Sequence, residues 1–114
     1  VMNYIESDIH TVGIGSVCSA GSFILAAGTK GKRSCLPNTE IMIHELSAGT
    51  QGKAGDIFNM VEKYKKLHDK MAKQYSEFTG QSLTKVKKDM QKDFWMTSEE
   101  ALAYGLIDKI IKGK

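Results

Sequence analysis

Cysteine is scarce in this chain, proline occurs once, and no apolar run is longer than the five residues 23–27. Each shortage excludes something. Cys18 and Cys35 stand 17 positions apart, which fits neither a zinc-ligand spacing nor a disulfide framework, so a reducing, cytoplasmic setting without a structural metal is expected. A run of five apolar residues is far short of the roughly 20 needed to cross a bilayer. No basic segment followed by an apolar stretch opens the chain as a secretory signal would. Glycine and proline are not enriched and 25% of residues are charged, a globular composition, neither disordered nor collagen-like. No repeat or low-complexity segment is visible.

What is present suits one modest core. The chain has 114 residues, 41% of them apolar, so a single domain over 1–114 is expected. The net charge of +3 sits mostly on lysines, in clusters such as Lys63, Lys65, Lys66 and Lys85, Lys87, Lys88. These fall on helical segments without aromatic interleaving, which reads as a solvated face and not as a nucleic-acid surface. The opening VMNYIESDI reads as the end of a helix already under way, and position 1 is not Met. The expectation is a piece of a longer protein.

The stretch TVGIGSV, with β-branched Val12, Ile14 and Val17, reads as one short buried strand. A turn of small residues follows, and then a helix ending at Gly28. KRSCLP and TEIMIHE read as two strands around a Pro37-Asn38 turn, the second with Ile41 and Ile43 inward and Met42 and His44 outward. LSAGTQGKAG is a loop. Apolar residues at spacings of three and four (Ile57, Met60, Val61, Tyr64, Leu67, Met71, Tyr75) predict a long helix over 56–78. A short helix over 82–90 comes next. Another is capped by Thr97 with Glu100 and stopped by Gly105, and LIDKII closes as a strand. Strands interspersed with helices predict an α/β layered domain.

A strand turning sharply into a helix exposes the turn residue and leaves room only for small neighbours, which makes Ser19 a candidate nucleophile beside unpaired helix N–H groups. A bland reading competes: Ser19 simply caps the helix. G-x-S-x-G is not satisfied, because position 17 is Val. A hydroxyl needs a base. His68 lies among charges and reads as solvent-facing, and His10 has a polar setting. His44 ends a strand before a glycine-rich loop, where a sheet offers side chains to a cleft, although a structural role is open to any one of the three. For the orienting carboxylate the candidates are Glu45, Asp56, Asp89, Asp93, Glu99, Glu100 and Asp108. Asp93 stands out beside the apolar FWM, where a carboxylate is costly without a partner. Cys18 is a competing nucleophile, but neighbouring side chains at a turn point different ways.

With these residues in view, the chain resembles the proteolytic subunit of the Clp protease, the ClpP family of self-compartmentalising serine peptidases. GSVCSAGSFILAAGTKGKR resembles the family's nucleophile segment, NTEIMIHE the strand carrying its histidine, GTQGKAGD the entry to its handle helix, and TGQSLTKVKKDMQKDFWMTSEEALAYGLID its C-terminal block. The chain departs from the family pattern at Ala20, at Glu45-Leu46 and at Lys92, where Met, Gln-Pro and Arg are common.

The resemblance implies a crotonase-like α/β fold of stacked βαβ-type units, with a handle helix at 56–79 and the N-terminal part of the fold lying before Val1. It implies a serine endopeptidase with Ser19 as nucleophile, His44 as base and Asp93 as acid. The backbone N–H of Ala20 supplies one oxyanion donor, and a second comes from upstream of Val1. It also implies two stacked heptameric rings served by an AAA+ unfoldase, which uses the ATP, with no cofactor in this chain. A non-catalytic assembly subunit of the same fold is the alternative. An acyl-CoA enzyme of the crotonase type shares the fold but has no use for the Ser, His, Asp set.

Overall fold

Gly15 divides what the sequence presents as one strand. In the computed structural model, which describes residues 1–47 and 49–113, the glycine has φ +75, a left-handed conformation that a β-branched residue resists. The chain bends there and passes from one sheet to another. β1 (Thr11–Gly13) lies before the bend and β2 (Ser16–Cys18) after it. The expected single buried strand is therefore two, and Ile14 at the bend is exposed.

The order continues with α1 (Ala20–Ala26), β3 (Arg33–Cys35), β4 (Glu40–Ile43), α2 (Ala54–Thr79), α3 (Leu83–Asp89), β5 (Phe94–Met96), α4 (Ser98–Tyr104) and β6 (Lys109–Ile110). The architecture is mixed α/β, with two three-stranded sheets among the described residues. In one, β3 lies between β1 and β6, parallel to both. In the other, β4 lies between β2, parallel to it, and β5, antiparallel to it. Since β1 leads to β3 and β2 to β4 through α1, one short helix serves both parallel crossovers.

The expected in-and-out alternation of β4 is not observed: Ile41, Met42 and Ile43 are all buried. α1 and α4 both pack against this central strand, and Ile41 and Ile43, each 0% exposed, join the core cluster, whereas Met42, at 9%, stands outside it. Residues 2–7 form turns and bends, not the end of a helix. Tyr4 is 92% exposed, and a segment this short is marginal as a helix by itself.

α2 is 26 residues long, about 39 Å at 1.5 Å per residue. Its C-terminal half enters the core through Ala72 and Tyr75, while Phe58 and Val61 near its start are exposed. The inward stripe differs from expectation at two places, Val61 and Leu67, both exposed. Ile57, Met60, Tyr64, His68, Met71 and Tyr75 are the sheltered positions. Steps of three and four from Tyr64 to Met71 pass through position 68 as well as 67, and periodicity weighted by hydropathy selects the leucine.

The helix ends obey local chemistry. Thr97 and Glu100 form the expected capping box, Ser82 Oγ accepts from Lys85 N–H, and Gly80 and Gly105 end their helices in the left-handed conformation. Gly105 has a second constraint, since a Cβ there would lie 2.2 Å from the Thr79 carbonyl oxygen at the end of α2. Gly105→Ala adds the left-handed penalty of about 1–2 kcal/mol to overpacking of about 1–3 kcal/mol. A fall of the unfolding free energy by that sum, read as a lower urea midpoint at unchanged denaturant dependence, is the expected result.

Beneath these ends, buried Arg33 pairs with half-buried Asp108. The guanidinium donates to Asp108 through Nε at 2.9 Å and Nη2 at 2.8 Å. Its Nη1 donates to the carbonyls of Ala26 at 3.0 Å and Phe78 at 2.9 Å, tying the ends of α1 and α2 to the strand that carries β6.

Candidate active site

Ser19 joins β2 to α1 with φ 54 and ψ −119, and among the described residues no other non-glycine residue has positive φ. Holding a serine there costs about 1–3 kcal/mol, a strain that persists only where surrounding contacts enforce it. The turn is held by the Ser19 N–H, which donates to Met42 O at 3.3 Å and extends the β2–β4 ladder by one residue. Small neighbours permit the close approach: a Cβ on Gly21 would already touch Val17 Cγ1 at 3.5 Å. Capping does not explain the serine, since its side chain makes no cap hydrogen bond.

The Ser19 Oγ is instead hydrogen-bonded to His44 Nε2. His44 lies just beyond β4, half-buried, so the strand pairing that holds Ser19 also delivers the imidazole. The other ring nitrogen, Nδ1, pairs with the Glu45 carbonyl oxygen. A carbonyl can only accept, so Nδ1 carries the proton and Nε2 is left as acceptor for the serine hydroxyl. That is the tautomer a general base requires. Glu45 is fixed in turn by its N–H, which donates to Met90 O at 2.6 Å.

Asp93 lies on the segment entering β5. The antiparallel register pairs Ile43 with Phe94, and one further step sets Asp93 across from His44. Its side chain is exposed, and His44 Nδ1 engages the Glu45 carbonyl rather than this carboxylate. The structure thus brings Ser19 and His44 into contact and leaves Asp93 on the facing strand position without that contact.

The other candidates are elsewhere. Cys18 lines a separate cleft with Thr11, Ile14 and Ile24, on the far side of the turn from His44. His10 is exposed. His68, expected in solvent, borders a cleft with Glu45, Leu46, Val61 and Tyr64. Asp108 belongs to the Arg33 pair, and Glu100 to its helix cap.

A cleft of about 290 Å³ opens over the pair, lined by Ser19, Ala20, His44, Leu46, Met71 and Tyr75 among others. It has an apolar wall beside a hydroxyl–imidazole dyad. Ser22 and Tyr75, both buried, stand directly behind Ser19 and were not foreseen as site residues: in the sequence Ser22 is one small residue of a turn and Tyr75 one member of an apolar stripe. Among the described residues no cluster of three or more His, Cys, Asp or Glu side chains is placed to hold a metal ion, and no helix is long and apolar enough to cross a membrane.

A strained serine at a strand-to-helix turn, bonded to a strand-end histidine, is how a serine hydrolase presents its nucleophile. The family model described as Clp protease matches residues 1–114, the whole of this chain. The chain belongs to the Clp protease family. Both the α/β expectation and the resemblance to this family are thereby borne out, and the chain is of the type of that protease's proteolytic subunit.

Proposed function

We propose that this Clp protease family chain is a serine endopeptidase acting on unfolded polypeptides. The observation that carries the reading is the hydrogen bond from a strained Ser19 hydroxyl to the unprotonated Nε2 of His44. Ser19 Oγ attacks the peptide carbonyl carbon as His44 Nε2 takes its proton. The tetrahedral intermediate collapses when His44 returns that proton to the leaving amine, and water then hydrolyses the acyl-enzyme by the same exchange. Ala20 N–H, next to the nucleophile, faces the oxyanion. Asp93 serves as the acid of the triad, turning from solvent toward His44 Nδ1 to stabilise the imidazolium that forms in the transition state.

Membership of the family supports the remaining features: a single catalytic domain, a handle helix at α2, stacked heptameric rings, an AAA+ ATPase that spends the ATP, no cofactor within the subunit, and a cytoplasmic location. The exposed apolar residues at the start of α2 suit packing against another subunit. The alternative, an assembly subunit without catalysis, draws on one observation, the absence of a carboxylate on His44 Nδ1.

A fluorophosphonate probe separates the two. Covalent labelling at Ser19, found by peptide mass spectrometry and lost in Ser19→Ala and His44→Ala, is the expected outcome. An unlabelled, folded and assembled protein would leave the assembly role.

A further inference from the structure

Directly behind the nucleophile three oxygens form a triangle, with the Tyr75 hydroxyl 3.5 Å from the Ser19 carbonyl oxygen on its longest side. Ser22 Oγ lies 2.7 Å from the Ser19 carbonyl oxygen, and the Tyr75 hydroxyl, brought in from α2, lies 2.8 Å from Ser22 Oγ. The proton positions are determined by chemistry. A carbonyl only accepts, so the Ser22 proton points to Ser19 O, and Ser22 Oγ can then only accept from Tyr75. The shorter contacts run from Tyr75 through Ser22 to the Ser19 carbonyl, each bond polarising the next, and the Tyr75 hydroxyl also reaches that carbonyl directly at 3.5 Å. Ser22 is 0% and Tyr75 2% exposed, so water does not compete. Burial also pushes the tyrosine up to about 12, so it remains a donor wherever His44 can act as a base.

The Ser19–Ala20 peptide is planar and trans, so its C=O and N–H point in opposite directions. The Ser19 carbonyl also accepts from the Phe23 N–H at 3.1 Å; Ser22 and Tyr75 add a side-chain anchor to that backbone one, and holding the carbonyl at the back sets the Ala20 N–H toward the front, where Ala20 and Ser19 line the cleft. A serine bonding to the carbonyl three residues before it is a common local motif at helix starts. A buried tyrosine from another helix, held against that serine, is not part of the motif.

We propose that Ser22 and Tyr75 are positioning residues that aim the Ala20 N–H at the oxyanion and make the oxyanion donor depend on where α2 lies. The inference rests on the peptidase reading above and deepens it. Loss of a whole oxyanion donor costs about a hundred- to a thousand-fold in rate; a donor that is present but loosely aimed costs a part of that, about tenfold.

The test uses the full-length protein with a fluorogenic peptide amide, a peptide boronate as tetrahedral mimic, and thermal melting as a check on folding. Tyr75→Phe is expected to lower kcat about tenfold at unchanged KM and to weaken boronate inhibition by the same factor. Ser22→Ala should do at least as much. The double variant should lose less than the product of the two single losses, since both hydroxyls act on the same Ser19 carbonyl. Unchanged kcat and boronate affinity in Tyr75→Phe, additive losses in the double variant, or a kcat that falls only with the melting temperature would overturn the relay while leaving the peptidase standing. An unsubstituted protein that neither hydrolyses the amide nor forms the Ser19 adduct would remove both. Where Ser22→Ala does not fold, Tyr75→Phe decides alone.

Discussion

Ser19→Ala is expected to reduce peptide hydrolysis by about 10⁴- to 10⁶-fold, and His44→Ala by a similar factor, with the double variant no slower than either single one. The non-additivity follows from the geometry. His44 Nε2 has the Ser19 hydroxyl as its partner, so each group is idle without the other. Binding should survive, because the cleft wall of Leu46 and Met71 is untouched, and the loss belongs in kcat. Asp93→Asn is the sharper experiment. The orientation of the imidazole already has a source in the Glu45 carbonyl, so the carboxylate contributes chiefly its charge. As the acid of the triad its removal should cost about 10⁴-fold. A loss within tenfold would mean that Glu45's carbonyl orients the base unaided. Steady-state kinetics on one fluorogenic peptide reads all four variants.

Asp108→Ala is expected to be strongly destabilising, by about 3 kcal/mol, the lower end of the usual cost of stranding a buried charge, since Arg33 is buried but Asp108 is 23% exposed. The Arg33 side chain is 4% exposed, so the orphaned guanidinium would have little water to turn to. Asp108 also accepts from the N–H groups of Gly31 at 2.7 Å and Arg33 at 3.1 Å, and these would lose their partner too. The effect depends on pH with a definite sign. The Arg33 guanidinium, by hydrogen bonding, holds the carboxyl at about 2 against an ordinary value of 3.8. A depressed carboxyl contributes stability that is fully present above the unfolded-state value and is lost as pH falls through the folded one. Urea unfolding of Asp108→Ala and the unsubstituted protein should therefore differ by the full amount at pH 6, by less near pH 3, and least near pH 2.

How much of this was legible in the sequence depends on the range of the forces involved. The capping box at Thr97 and Glu100 and the helix stops at Gly80 and Gly105 are settled within a few residues, and composition reveals them. The Ser19 turn was legible for the same reason: only small side chains tolerate a helix starting that close to a strand. Its bond to His44 joins residues 25 positions apart, and it was reached through strand order and through resemblance. Three features could not be read. Met42 looks outward by alternation, yet it is 9% exposed while standing outside the core cluster that Ile41 and Ile43 join. His68 takes an inward place on α2 that hydropathy assigns to Leu67. The Tyr75–Ser22 contact spans 53 positions, and neither residue type announces it. The exposed Asp93 fits the sequence argument in position but not yet in contact.

α2 is held most deeply at its C-terminal end. Ala72 and Tyr75 are set in the core, while Phe58, 69% exposed, lies 17 residues back along the helix, about 25 Å away at 1.5 Å per residue. A stiff rod clamped in this way is a lever with its fulcrum beside the Ser22 hydroxyl. A small swing of the distant tip becomes a sub-ångström adjustment where the tyrosine oxygen sits, with the mechanical advantage running from surface to interior.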